Sequence, residues 1–209
     1  CELVDGFALF MQALLALIAL ASLLVKRQRE QSRRPVRVWL FDVSKQTTGA
    51  ALVHMLNLFI SYVSGSQSDS REDNPCVWYL LNLLLDTTVG VLVLCVVLKV
   101  LHQLLSSFGI KEMESGNYGN PPQYHIWVKQ SLVFLLALSA TKLIIYAGIN
   151  VFPILVIIGQ WILDPFVRVG DPRLQVIVVT LIAPLIMNIV QFWLVDNLIR
   201  HRVITSLEE

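Results

Sequence analysis

From Leu3 to Val25 the chain runs almost without charge, Asp5 being the exception. As a helix this stretch is about 35 Å long, enough to cross a hydrocarbon core of roughly 30 Å. No other feature restricts the fold so strongly. In lipid every backbone N–H and C=O must find its partner inside the segment, and only helices and closed barrels achieve that. Similar apolar stretches follow at 39–62, 76–101, 126–149 and 174–199. With 56% hydrophobic and 15% charged residues, the chain lies well away from soluble domains, which hold roughly 45–50% and about 25%. The expected fold class is all-α: a multi-pass transmembrane helical bundle, with residues 1–209 forming one transmembrane domain. No soluble domain, internal repeat or heptad array is visible.

The order of the polar segments orients the bundle. The first apolar run has no basic region ahead of it and exceeds the roughly 7–15 apolar residues of a signal peptide, so it is read as a retained span. A chain that begins at Cys1 rather than Met suggests a trimmed or processed start. After this run come Lys26, Arg27, Arg29, Arg33, Arg34 and Arg37 against Glu30. The positive-inside rule makes this segment cytoplasmic and the amino terminus lumenal. The acidic connector before Cys76 is then lumenal. Ser106 to Gln123 is a second cytoplasmic loop, where Gly116, Gly119, Pro121 and Pro122 exclude a regular helix.

The apolar sequence from Ile126 continues to Leu163, and one straight helix of that length would be about 57 Å long. Pro153 is therefore expected to break the fourth span between Asn150 and Pro153, leaving an extension, 154–163, along the lumenal interface. A short loop from Asp164 to Arg173 leads to the last span, which Arg200, His201 and Arg202 end in the cytosol. The count is five spans. If 154–163 crossed fully there would be six, and the last would invert. Trp39, Trp78, Trp127 and Trp193 fall near span ends, as interfacial anchors do.

Charges within the spans carry the functional question, because each costs roughly 2.5–3.5 kcal/mol at a helix centre. Lys99 and Lys129 lie near the cytoplasmic interface and can snorkel. Asp86 and Lys142 lie deep in the third and fourth spans, and a buried ion pair between them is expected. Such a pair fixes helix register as readily as it serves a substrate. Asp42, Lys45 and Gln46 on the second span, Lys129 and Gln130 on the fourth, and Asp196 and Asn197 on the last reach a similar depth. They are expected to form a polar network, or the floor of a vestibule, beneath the arginine cluster. His54 and Asn57 are read as packing residues.

Other chemistry is sparse. Cys1, Cys76 and Cys95 lack metal-ligand spacing, so no metal is expected. Cys1 and Cys76 fall on the same lumenal side, where a disulfide is permitted, and Cys95 is expected to be a free thiol. No phosphate loop, HExxH or triad pattern recommends an enzyme, and no cofactor is called for. A net charge of +1 provides no overall field to attract nucleic acid. The basic cluster is the clearest surface feature. Lys26, Arg27, Arg29, Arg33, Arg34 and Arg37 would bind anionic phospholipid headgroups at about 1 kcal/mol each, beyond setting topology.

The strings CELVDGF, RRPVRVWLFDVSKQ, PC with YLLNLLLDTTVG, GNYGNPPQ and FWLVDN run in order along the chain. Together they resemble the STIMATE family of store-operated calcium entry regulators and its relatives described as vacuolar membrane proteins. The resemblance implies a multi-pass endoplasmic reticulum protein with no enzyme activity. It implies binding to a STIM-type calcium sensor and support of contacts between reticulum and plasma membrane. A vacuolar or lysosomal membrane is the alternative location. The alternative function is a small transporter, channel or lipid-handling protein that uses the intramembrane charges to line a cavity.

Overall fold

The computed structural model describes residues 3–29, 35–65, 74–110 and 117–187, which form helices and no strands. Helix α1, Gly6–Arg29, opens on Asp5, whose carboxylate accepts the Ala8 N–H at 2.7 Å. This satisfies one of the orphan donors of the first turn. Helix α2, Val36–Gly65, starts directly after Pro35. Helix α3, Pro75–Thr87, has an Asn74 cap that accepts from Cys76 N at 3.0 Å, with proline at the first helical position. Helices α4, Val89–Ser107, α5, Tyr124–Val151, and α6, Ile154–Arg168, follow. Helix α7, Pro172–Ile177, is capped by Asp171 and passes into a π-helical turn, Val178–Ile182.

The expected break near Pro153 is present: α5 ends at Val151 and α6 begins at Ile154. Elsewhere the boundaries depart from expectation. The third apolar stretch is two helices, α3 and α4, interrupted at Thr88, where φ is −107° and ψ −88°. Hydroxyls of both Thr87 and Thr88 bond back to the Leu84 carbonyl, at 3.2 and 2.7 Å, competing with the helix ladder. Gly90 then lets the chain approach Ile145, since a Cβ there would lie 3.0 Å from its Cδ1.

The extension after Pro153 is also longer than the anticipated 154–163. Helix α6 continues through Pro165 to Arg168, with an ion pair between Asp164 and Arg168 across its last turn. The Asp164 to Arg173 loop thus shrinks to a turn at Gly170, whose φ of 79° suits glycine. The π-helical turn in the last helix precedes Pro184. Proline offers no N–H and crowds the carbonyl four residues back, here that of Thr180, and a widened turn relieves both problems.

Helix α3 is the centre of the bundle. Cys76, Val77, Tyr79 and Leu80 pack with Leu163 of α6 and Val179 of the last helix, while Leu81 meets Ile145 and Ile149 of α5. Close approach of α6 depends on Gly159, where a Cβ would lie 3.2 Å from Val77 Cγ1. Helix α4 is the opposite case. Leu92, Val96, Val100 and Leu104 form one bare stripe, with Leu92 65% exposed. Such a face suits lipid and would drive association in water. Among the described residues two helices, Val89–Ser107 and Tyr124–Val151, are long and apolar enough to cross a membrane. Helix α6 is about 22 Å long, short of a full crossing.

Helices α2 and α5 meet at Gly49, where a Cβ would lie 2.6 Å from Phe134 Cε1 and 2.9 Å from Leu138 Cδ1. Gly49→Leu is expected to cost about 1–3 kcal/mol by overpacking. Thermal unfolding in detergent should show the loss, and Phe134→Ala in the same chain should recover part of it. An unchanged melting temperature in Gly49→Leu would contradict this packing.

Candidate functional site

Two polar layers are stacked along the α2 and α5 faces, with the Gly49 contact between them. The central layer is built on α3, where Tyr79, Asn82 and Asp86 recur at spacings of three and four and so share a face. Lys142 of α5 reaches Asp86 at 2.8 Å and also donates to Asn82 Oδ1 at 2.9 Å. The lysine is 3% exposed and the aspartate 14%, so the pair is withdrawn from solvent. Asn57 of α2 donates to Asp86 Oδ2 at 3.0 Å, and Asn82 is itself fixed by its bond to the Trp78 carbonyl. Both charges therefore have an opposite charge and an amide partner, which is what a buried pair needs to offset its desolvation.

The same layer extends to α1 through His54. Gln12 Nε2 donates to the Leu3 carbonyl at 2.9 Å, which orients its amide and turns Oε1 towards His54 Nε2 at 3.3 Å. That nitrogen must then carry the proton, so Nδ1 accepts from the Tyr79 hydroxyl at 3.2 Å. Gln12, His54 and Tyr79 thereby link three helices. Asn57 Oδ1 and Thr141 Oγ1 are buried with no partner. The charged groups are satisfied, and the uncharged ones carry the deficit.

The outer layer lies at the end of α2 that follows the arginine cluster. Tyr118, 2% exposed, is drawn in from the segment between α4 and α5, and its hydroxyl donates to Asp42 Oδ1 at 2.7 Å. Its ring packs edge-on against Phe41 at 5.2 Å, and Lys45 Nζ sits 5.5 Å from its centroid. Lys45 also points at Gln130 Oε1, at 3.5 Å, while Gln130 Nε2 donates to the Asn117 carbonyl at 2.9 Å. Trp127 stacks on Phe41 and donates from its indole to the Phe41 carbonyl at 3.1 Å. The layer is thus a polar socket filled by the protein's own tyrosine under an aromatic rim.

Asp86 with Lys142, and Asp42 with Lys45 and Gln130, are the sequence-selected groups that the fold brings together. Gln46 and Lys129 are exposed and stand apart from the outer layer. Asp196 and Asn197 lie outside the described residues. Lys26, Arg27 and Arg29 fall in the end of α1, Arg37 is exposed at the start of α2, and Arg33 and Arg34 lie outside the described residues. The Arg27 guanidinium stacks over Trp39 at 4.4 Å, which ties the two helix ends together. Cys76 is fully buried and disulfide-bonded, whereas Cys1 lies outside the described residues. Cys95 is a free thiol exposed on α4. Among the described residues no group of His, Cys, Asp and Glu is placed to hold a metal.

Sequence reasoning missed Gln12, Tyr79, Asn82 and Tyr118, and it read His54 and Asn57 as packing residues without the hydrogen bonds that join both to the central layer. A signal existed for most of them. His54, Asn57 and Ser61 repeat the three-and-four spacing on α2, matching the stripe on α3. Nothing local marks Tyr118, whose role depends on a loop folding back onto two distant helices.

Among known proteins, the chain is similar to a vacuolar membrane protein of Saccharomyces cerevisiae, with 34% identity covering 96% of this chain and 79% of the relative. No solved structure matches it. The model of the STIMATE family matches residues 76–201, which include both charged residues of the central layer and the Tyr118 segment. Family match, relative and bare apolar helices agree on a membrane protein, and the chain belongs to the STIMATE family.

Proposed function

We propose that the chain is a non-enzymatic membrane adaptor whose intramembrane charges hold the bundle together while its cytosolic face meets partner and lipid. One observation carries the proposal: Asp86 and Lys142, the groups best suited to line a transport path, are closed on each other and on Asn57 and Asn82. In this reading the chain crosses the membrane five times, with a lumenal amino terminus and a cytosolic carboxyl terminus. The bare stripe of α4 and the break at Pro153 support that arrangement. Family membership supports a regulatory role in the endoplasmic reticulum membrane, with a STIM-type calcium sensor as partner and calcium entry as outcome. The yeast relative is a vacuolar membrane protein, which favours a vacuolar membrane as the alternative location.

The working surface is the basic segment from Lys26 to Arg37. Replacing Arg33, Arg34 and Arg37 by glutamine should weaken binding to phosphatidylserine vesicles by about 3 kcal/mol, roughly a hundredfold. In cells lacking their own family member, the same variant should fail to restore calcium entry after store emptying, where the unaltered chain succeeds. Unchanged vesicle binding would remove the lipid role. Failure of the unaltered chain to restore entry would remove the calcium role.

A further inference from the structure

We propose that Pro121, Pro122, Gln123 and Tyr124 form a docking motif for a WW domain, so that the chain recruits a cytosolic protein carrying one. WW domains grip a short polyproline II segment in an aromatic-lined groove, because proline enters that conformation with little entropy left to lose. A tyrosine two residues beyond the second proline fills a neighbouring pocket. The order Pro-Pro-x-Tyr stands here in a segment whose glycines and prolines otherwise have only a turn-forming role.

The fold presents this motif outwards. Tyr118 is held in the outer layer by Asp42, Gly119 reverses the chain at φ 82°, and the Gln123 N–H closes the turn on the Tyr118 carbonyl at 2.9 Å. Beyond Gly119 the chain turns back to bury Ile126 with Phe41 and Tyr118, and the outer edge of that turn is left exposed. Pro121 and Gln123 are exposed, and Tyr124 is 66% exposed at the first position of α5. Pro121 and Pro122 stand in the turn, where the following proline disfavours the helical region at Pro121. Gln123 after them is extended, with φ −109° and ψ 134°. The Tyr124 ring leans edge-on against Phe41 at 5.1 Å and leaves most of its surface free. Two neighbouring tyrosines thus have opposite fates: Tyr118 anchors the segment and Tyr124 is offered.

The cytosolic placement of the motif rests on the orientation proposed above, and the experiment separates the two. A purified, fluorescently labelled WW domain of the Pro-Pro-x-Tyr class is titrated against the full chain in nanodiscs, which leave both faces open. Saturable binding is expected. Tyr124→Phe, which keeps the ring on Phe41 and removes only the hydroxyl, and Pro122→Ala should each weaken it at least about tenfold. Absence of saturable binding, or equal binding by Tyr124→Phe, overturns the proposal; the tyrosine is then an interfacial anchor in the headgroup region, and the orientation still stands. The same WW domain added outside sealed microsomes should also bind. Binding in nanodiscs without binding to sealed microsomes overturns the orientation and the cytosolic partner together.

Discussion

Lys142→Met is expected to destabilise the bundle by about 3–5 kcal/mol, the cost of leaving a buried charge without its counterion. Asp86 would retain the Asn57 amide but lose both contacts to the ammonium group. Asp86→Asn should be damaging in its own right, because Lys142 would keep only uncharged amides as partners in the same layer. The double variant Asp86→Asn with Lys142→Met removes both charges together and should recover most of the loss. Equilibrium unfolding in mixed micelles measures all three variants as one cycle. A coupling well beyond about 0.5 kcal/mol is expected for groups in direct contact, and strict additivity would mean that no such pair exists.

Tyr118→Ala should have the second largest effect, about 3–5 kcal/mol for truncating a buried aromatic residue. Its consequence is local as well as global, because the ring is what draws the segment between α4 and α5 onto Phe41 and Lys45. Tyr118→Phe keeps the packing and removes the hydroxyl bond to Asp42, so a loss of about 1–3 kcal/mol is expected. Hydrogen exchange of the Gln123 amide, which bonds to the Tyr118 carbonyl, tests the anchoring. It should accelerate in Tyr118→Ala and change less in Tyr118→Phe. An amide as slow in Tyr118→Ala as in the unaltered chain would show that the segment is held by something else.

Much of the fold was readable in the sequence because lipid imposes simple rules. The apolar runs marked the helices, and Pro153 marked a break that no straight span could avoid. The interruption at Thr88 was hidden because threonine pairs break helices only through the bonds their hydroxyls choose, and Asp86-Thr87-Thr88-Val89-Gly90 lacks proline. Helix α6 ran past Pro165 to Arg168, which pairs with Asp164 in the last turn, and no local pattern marked that continuation. In the candidate site, depth alone suggested pairing Asp86 with Lys142, since charges that cannot reach water must find each other. The uncharged members were overlooked because an amide or a tyrosine in an apolar run draws little notice until its face is known. Tyr79, Asn82 and Asp86 shared a legible stripe, whereas the fold of the loop that buries Tyr118 was not encoded in any local spacing.

In the proposed function Asp86 and Lys142 build the bundle and do not perform its task. The direct measurement takes the double variant Asp86→Asn with Lys142→Met, purified and reconstituted, and compares its binding to phosphatidylserine vesicles and to a STIM-type sensor with that of the unaltered chain. Equal binding, together with no ion or lipid flux through either protein in liposomes, is the predicted result. A folded double variant that has lost partner binding, or a flux in the unaltered chain that the double variant abolishes, would place Asp86 and Lys142 in the working site and contradict the account.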